Sequence, residues 1–292
     1  MQFAILAMHV IASSSFILFL RHSSKQQPIN PYVMAFMSTI PFQLTILLLV
    51  IVGVLNPNIS EIETNDIITM AIGCVFLVGY FLLSVNTLNY LESSRYSIIF
   101  TLRLALITIF AFVFLSETPT LLQALGGLTI LTALLILNFK RGSITFGKGE
   151  RFALLTVLVF SAHAITEKYN IDNVSSTEET LPSTYIVVFS SMIFIAQGTL
   201  LVIKRVPISQ IRGTMNGWLW AAAMARNLSG WGWLWALTLL PVAIVNYVSG
   251  LSLLVVVLFG TIVLKERSDL KKISIATALS VTGLTLIFLT NS

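Results

Sequence analysis

Charged residues are scarce in this chain of 292 residues, of which only 10% are Asp, Glu, Lys or Arg. Soluble domains carry about 25% charged residues. Hydrophobic residues make up 56% of the chain, and the mean hydropathy is +0.91. This shortage of charge excludes an ordinary water-soluble domain. A bilayer core about 30 Å thick needs roughly 20 apolar residues per helical span, so the length suits about ten spans and leaves no room for a soluble domain.

Several chemistries are missing as well. The single cysteine, Cys74, permits no intramolecular disulfide. No nucleotide-binding P-loop motif is present, and no cofactor is indicated. His163 and Glu167 stand four residues apart, but two ligands do not make a metal site, and no Ser/His/Asp pattern points to an enzyme. The net charge of +5 is interpreted as an orientation signal, not as a nucleic-acid-binding patch.

Apolar segments follow one another along the whole chain. They cover residues 2–20, 32–55, 66–91, 95–115, 119–139, 151–169, 181–203, 214–240, 242–264 and 273–290. The first segment lacks a basic leader, so we interpret it as a retained helix and not as a signal peptide. We predict an all-α, multi-pass integral membrane protein with ten transmembrane helices.

Basic residues are distributed very unevenly among the predicted loops. Those that follow odd-numbered helices are Arg21, Lys25, Arg95, Lys140, Arg141, Lys148, Arg151, Lys204, Arg205, Arg212, Lys265, Arg267, Lys271 and Lys272, which is 14 of the 17 Lys and Arg residues. The loops after helices 2 and 6 are acidic instead. Positively charged loops stay on the cytoplasmic side. We therefore predict cytoplasmic odd-numbered loops and both termini outside, in a plasma (inner) membrane.

The second half of the chain repeats features of the first at an offset of 149 residues. Leu115-Ser116-Glu117, at the end of predicted helix 4, matches Leu264-Lys265-Glu266, at the end of predicted helix 9. We divide the chain into residues 1–145 and 146–292, with five helices each. An odd number of helices per repeat requires the halves to be inverted in the membrane, and inverted-repeat transporters bind their substrate near the midplane between the halves.

Ten helices, two five-helix halves and a Leu-x-Glu step before helices 5 and 10 resemble the drug/metabolite transporter superfamily, EamA type. The resemblance implies a secondary-active transporter that works by alternating access. Two features depart from the family. Leu104 and Leu253 stand where EamA repeats usually carry a proline, and the charge pattern puts the termini on the side opposite to the usual one. The prediction of orientation follows the charges, because their asymmetry is nearly complete.

Two arginines lie deep inside predicted helices. Arg103 is eight residues into helix 4 and Arg226 twelve residues into helix 8, which puts both near mid-bilayer, where an arginine needs a cavity or a partner. The only acid well inside a span is Glu167, which we place near the outer end of helix 6. With no carboxylate expected at the midplane, an anionic or zwitterionic solute would supply the missing charge. The alternative is that each arginine is structural.

Weaker candidates for substrate binding are His163, His9, Asn246 and Gln197, which could equally be satisfied interior residues. The leading hypothesis is a secondary-active transporter of a small polar metabolite, coupled to an ion gradient or to a counter-substrate. An exporter of cationic drugs is the alternative, although it usually needs a membrane carboxylate. A membrane-embedded enzyme is a third, unsupported class. The sequence sets no oligomeric state.

Overall fold

A computed structural model describes residues 2–26, 28–115, 120–138, 147–174, 182–207, 209–211, 216–240, 242–262 and 270–289. This part of the chain is helical and contains no strand. Its helices are α1 (Gln2–Gln26), α2 (Pro31–Ile51), α3 (Thr64–Tyr90), α4 (Ser93–Phe100), α5 (Leu102–Leu115), α6 (Leu121–Asn138), α7 (Lys148–Val174), α8 (Ser183–Ile203), α9 (Gly217–Leu239), α10 (Val242–Ile262) and α11 (Leu270–Phe288). A short 3₁₀ turn, Ile59–Glu61, lies between α2 and α3.

A helix occupies each of the ten predicted segments, but the fourth segment is divided into α4 and α5. The break is at Thr101, whose hydroxyl donates to the carbonyl of Ile98 at 2.5 Å. The amide of Leu104 donates to the Thr101 carbonyl at 3.0 Å, three residues back instead of four, which tightens the turn. Arg103 therefore follows directly on a discontinuity in its helix.

Within the described part of the chain, five helical stretches are long and apolar enough to cross a membrane: Ala4–Gln26, Pro31–Ile51, Thr64–Tyr90, Ser93–Leu115 and Ser183–Ile203. Two shorter apolar helical stretches occur at Ala124–Ala133 and Val248–Val257. Their apolar surfaces face outward as well as inward; on α2, for example, Leu44, Leu48 and Ile51 are exposed. In water such a surface would drive aggregation, whereas in a bilayer it contacts lipid. The protein is therefore a multi-pass integral membrane protein.

Helix packing follows a regular pattern of pairs. α1 packs along α9, α3 along α7, and α6 along α11. Close approach in the first pair depends on Gly232 of α9, since a Cβ there would lie 2.9 Å from the Cβ of His9 on α1. In the third pair, a Cβ on Gly283 of α11 would lie 2.7 Å from the carbonyl oxygen of Gly126 on α6. Small residues thus let these helix backbones meet.

Contacts between helix ends show which ends lie together on each of the two opposite faces of the bundle. On one face the end of α1 meets the end of α3, where the Arg21 guanidinium donates to the carbonyl of Leu88 at 2.7 Å. On the same face the starts of α4 and α7 meet, where Arg95 pairs with Glu150 at 3.1 Å. These ends belong to odd-numbered connections of the predicted topology.

The opposite face brings together even-numbered connections. The backbone amide of Asn58, between α2 and α3, donates to the hydroxyl of Thr184 at the start of α8, at 2.9 Å. Near the start of α3, the Thr69 hydroxyl donates to the amide oxygen of Asn170, near the end of α7, at 2.6 Å. Consecutive predicted helices therefore alternate in direction. Ser116 and Glu117 of the first Leu-x-Glu step, and all of the second step, lie outside the described residues.

Candidate functional site

A cavity opens inside the helical bundle and is lined by α1, α2, α3, α4, α5, α7, α8, α9 and α10. Its volume is about 100 Å³. We call it the central cavity. Its polar and charged lining residues are His9, Ser13, Ser38, Thr39, Gln43, Arg103, His163, Glu167, Ser190, Arg226, Asn227, Ser229 and Ser252. The aromatic lining residues are Phe16, Phe42, Tyr80, Phe81, Phe100, Phe160, Phe189 and Trp233. Four of the six residues predicted to bind substrate thus meet in one place.

Arg103 enters the cavity from the first turn of α5 and is only 4% exposed. Its guanidinium carbon lies 4.7 Å from the ring centroid of Phe100 and 4.9 Å from that of Phe160. These rings give cation–π contacts, which compensate part of the cost of removing the charge from water. Within the described residues, Arg103 forms no ion pair, and its Nε has no hydrogen-bond partner. The guanidinium is therefore held by aromatic faces and not by an acid.

Arg226 reaches the same cavity from the middle of α9. Its guanidinium carbon lies 4.7 Å from the ring centroid of Phe81, and its buried Nε also lacks a partner among the described residues. Gly230, one turn further along α9, leaves space beside it, because a Cβ there would lie 3.5 Å from Arg226 Nη1. Tyr80 interacts electrostatically with both Arg103 and Arg226. The two cationic groups thus share one neighbour across the cavity.

A carboxylate also lines the cavity, which corrects the expectation of a core without one. Glu167 is 4% exposed, and its Oε2 accepts a hydrogen bond from the indole N–H of Trp233 at 2.5 Å. His163 Nε2 lies 3.3 Å from the same oxygen. The expectation was wrong because α7 is longer than the predicted segment. The segment ends two residues after Glu167, at residue 169, whereas α7 continues to Val174.

His163 is buried on the cavity wall between aromatic rings. Its ring is stacked against Phe189, with 6.1 Å between centroids and 8° between planes, and Phe160 meets its edge at 6.2 Å. The Nε2 atom points to Glu167, whereas the Nδ1 atom is buried without a hydrogen-bond partner in the described part of the chain. Buried polar atoms usually have a hydrogen-bond partner, so the Nδ1 atom of His163 is a candidate position for a bound solute or proton.

His9 is in a different situation, because both of its ring nitrogens are engaged. Nδ1 lies 2.8 Å from the backbone carbonyl oxygen of Ser229 on α9, and Nε2 lies 2.9 Å from the hydroxyl of Ser249 on α10. A carbonyl can only accept, so Nδ1 carries a hydrogen and donates it. His9 therefore ties α1 to α9 and α10 at the cavity wall, and it also lies within electrostatic range of both arginines.

The remaining two candidates do not line the cavity. Asn246 is buried in α10, and its amide donates to the carbonyl of Val242, one turn earlier in the same helix, at 2.9 Å. Gln197 is buried in α8, and neither atom of its amide has a hydrogen-bond partner among the described residues. The structure therefore separates these two amides from the two arginines.

Sequence reasoning missed part of the lining. Trp233 is not among the predicted binding residues, but it is 7% exposed and contacts Glu167 in the cavity. A usable signal was present on α7, where Phe160, His163 and Glu167 follow an i, i+3, i+7 spacing and so share one helix face. Asn227, next to Arg226, carried no such signal. Its amide donates to Thr45 on α2 at 3.3 Å, and its buried oxygen lacks a partner in the described structure.

Comparison with known proteins finds a family match in the first half of the chain and a similar fold over nearly all of it. Residues 2–139 match the sequence model of the EamA-like transporter family, which confirms the resemblance drawn from the sequence. No curated protein sequence matches the chain. Among solved structures 28 chains match, and one crystal structure aligns over 98% of this chain and 96% of its own, at 16% identity and a TM-score of 0.66. At that identity the likeness shows the fold alone, and it extends over both halves.

Proposed function

We propose that this protein, whose residues 2–139 match the sequence model of the EamA-like transporter family, is a secondary-active transporter of small organic anions. The observation that carries the proposal is the pair Arg103 and Arg226, two guanidinium groups that line one cavity with no acidic group within 4.0 Å among the described residues. Glu167 acts on Arg226 only over a longer distance. A zwitterion whose acidic group binds the arginines belongs to the same class. The solute would be exposed to each side in turn as the two halves rock around the cavity.

Energetics favour a ligand over a purely structural role for these arginines. An arginine at the centre of a membrane helix costs about 2.5–3.5 kcal/mol on insertion scales. A structural arginine usually recovers that cost from a buried acid, and neither Arg103 nor Arg226 has one within 4.0 Å in the described structure. Guanidinium groups grip carboxylate, sulfonate or phosphate oxygens with two parallel hydrogen bonds. An anion in the cavity would supply the missing partner.

The rest of the lining indicates an apolar body on the solute. Tyr80, Phe100 and Phe160 form a connected aromatic group, with ring centroids 4.8–6.0 Å apart. Apolar walls with a few polar anchors are typical of small-molecule sites, because the walls supply burial and the anchors supply orientation. We therefore propose a compact acid that carries an aromatic or aliphatic group.

Helix packing supports the proposal of two inverted repeats and ten spans. If α1 to α6 correspond to α7 to α11, with α4 and α5 together matching α10, exchanging the halves turns the α1–α9 pair into the α7–α3 pair. Both pairs are among the most extensive in the bundle. The same exchange turns the α1–α10 packing into that of α7 with α4 and α5, which also occurs. The orientation proposed from the loops, with odd-numbered connections cytoplasmic, agrees with the basic residues near one face.

One observation favours the rival function, export of cations, because Glu167 gives the cavity a carboxylate. Two features argue against it. The Glu167 oxygen is already used by Trp233 and His163, and two guanidinium groups in the same cavity would repel a cation. The anionic solute is therefore the better proposal.

A charge series on one scaffold tests the proposal. Benzenesulfonate, phenylalanine and phenyltrimethylammonium share a phenyl ring and differ in charge, as anion, zwitterion and cation. We expect benzenesulfonate to raise the melting temperature of the purified protein and to exchange across proteoliposomes, with phenylalanine weaker and phenyltrimethylammonium inactive. Stabilisation and exchange by the cation alone would favour the rival function. No response to the anion or the zwitterion would reject the proposed function.

A further inference from the structure

We infer that His163 and Glu167 form a proton-binding site that loads a proton together with the anion. The inference rests on the proposed function and adds the coupling ion. The pair lines the same cavity as Arg103 and Arg226, so both cargoes would occupy one compartment. The proton would arrive from the side on which the anion enters, bind to His163, and leave on the side of release.

The surroundings of the two ring nitrogens identify the atom that takes the proton. His163 Nε2 lies 3.3 Å from Glu167 Oε2, within ion-pair distance of the carboxylate. When the neutral ring carries its hydrogen on Nε2, the Nδ1 lone pair is free, buried and without a partner in the described structure. A proton added at Nδ1 makes an imidazolium beside a carboxylate, and Glu167 is then the counter-charge of the added proton.

Trp233 occupies the carboxylate oxygen that faces the histidine. Its indole N–H, which can only donate, reaches Glu167 Oε2 at 2.5 Å from the neighbouring helix α9. A donor is thus already in place at this oxygen, which leaves the unpartnered Nδ1 of His163 as the position for an added proton.

Tyr185 on α8 and Arg226 on α9 interact electrostatically with Glu167. The other charged and titratable groups on the packed helices are His9 on α1, Cys74 and Tyr80 on α3, Tyr96 on α4 and Arg103 on α5. Tyr96 lies 3.3 Å from the Ser84 hydroxyl, and α10 has no charged residue in its sequence. The two guanidinium groups are the fixed charges among them, and both oppose a further positive charge on His163.

The net charge of the cavity then couples binding of the anion to binding of the proton. With both histidines neutral, the empty cavity holds two guanidinium groups and one carboxylate, a net positive charge of one unit. A bound monoanion cancels it, which removes the repulsion felt by a proton on His163. Binding of the anion therefore favours binding of the proton, and by linkage the proton favours the anion to the same degree. Because the proton also cancels the charge of the anion, the loaded cavity carries the same net charge as the empty one.

His9 does not provide an equivalent site. Its Nδ1 donates to the Ser229 carbonyl, and its Nε2 is engaged by the Ser249 hydroxyl. The Ser249 hydroxyl in turn donates to the Val245 carbonyl at 2.7 Å, so His9 belongs to a hydrogen-bond network that joins α1, α9 and α10. Only His163 thus presents a cavity-side ring nitrogen with no partner in the described part of the protein.

Proteoliposomes containing the pH indicator pyranine test the inference. The probe is benzenesulfonate, which stays an anion across the working pH range, so any accompanying proton must be carried by the protein. We expect wild-type protein to admit about one proton per anion, to respond to an inward proton gradient, and to be insensitive to a potassium–valinomycin potential. Glu167→Gln and His163→Gln should admit far fewer protons per anion and lose the response to the proton gradient. Exchange of labelled benzenesulfonate at equal pH, measured in the same liposomes, gives the anion flux by which proton entry is divided.

Asp172→Asn is the matched control, because it is the same type of change on α7 at an exposed carboxylate that pairs with Lys168. This variant should behave like the wild type. Anion exchange without proton entry in the wild type, or proton-coupled uptake by Glu167→Gln, would overturn the inference and leave the proposed function intact. Absence of any benzenesulfonate exchange in the wild type would remove both. If Glu167→Gln does not fold, the wild-type proton stoichiometry and His163→Gln decide the question.

Discussion

The indole nitrogen of Trp233 on α9 lies 2.5 Å from Oε2 of Glu167 on α7. This contact joins two helices of the same predicted half, residues 146–292, each of which packs mainly on a helix of the other half, α9 on α1 and α7 on α3. Among the described residues that line the central cavity, Glu167 is the only acid, and this bond holds it in place. A hydrogen bond to a charged group in a buried site is among the stronger polar contacts a protein makes. The bond therefore contributes both to helix packing and to the charge state of the cavity.

Trp233→Phe removes this donor while keeping a large aromatic side chain. We expect the variant to lose about 1.5–3 kcal/mol of stability, the usual value of a hydrogen bond to a charged group. Trp231→Phe is the matched control, because the Trp231 indole nitrogen is buried without a partner in the described structure. Thermal unfolding in detergent measures both. Equal loss of stability in the two variants would show that ring shape, and not the bond to Glu167, matters.

The sequence predicts features that depend on residues near one another in the chain, such as the helices. It does not predict features that depend on how the helices pack together. The helices follow from apolar length, and the positions of Arg103 and Arg226 within their helices follow from counting residues at a fixed rise. The place of Glu167 could not be counted in this way, because it depends on how far α7 continues and on which side chains α9 presents to it. The amides of Gln197 and Asn246 are equally polar in sequence, and only tertiary packing excludes them from the cavity lining.

Gly232→Ala tests the close approach of α9 to α1. The added Cβ would lie 2.9 Å from His9 Cβ and 3.2 Å from the His9 backbone nitrogen, so one helix must move. Overpacking of this kind costs about 1–3 kcal/mol. We expect a lower melting temperature and weaker benzenesulfonate exchange, since His9 lines the cavity. Gly217→Ala is the control on the same helix, because a Cβ there meets nothing within 4 Å. A neutral effect at Gly232 would show that the two helices are not closely packed.

Membrane orientation is tested by labelling single cysteines in a Cys74→Ser background. Lys148 lies at the face that gathers odd-numbered connections, and Ser60 lies in the connection between α2 and α3, on the opposite face; both are exposed. If odd-numbered loops are cytoplasmic, Ser60→Cys reacts with a membrane-impermeant thiol reagent in intact cells, whereas Lys148→Cys reacts only after permeabilisation. The reverse result would show that the protein has the usual orientation of the EamA family and not the one predicted from the charged residues.

Substitution of the two arginines is the most direct test of the proposed substrate class. Arg103→Gln and Arg226→Gln each remove one charge-assisted contact to the anion, worth about 1.5–3 kcal/mol. We expect the apparent affinity for benzenesulfonate to fall about 10- to 100-fold in each variant. Lysine at either position keeps the charge but loses the two-pronged geometry, so it should retain part of the activity. Equilibrium exchange in proteoliposomes measures all four variants.

Protein stability separates this role from a structural one. Neither arginine has an acidic partner within 4.0 Å among the described residues, so its removal leaves no unpaired buried carboxylate, and the glutamine variants should unfold at temperatures close to that of the wild type. Breaking a buried ion pair would instead cost about 3–5 kcal/mol. Arg151→Gln, at an exposed position on α7, is the control for loss of a positive charge. If well-folded Arg103→Gln and Arg226→Gln proteins exchange benzenesulfonate as the wild type does, the anion does not bind to these arginines.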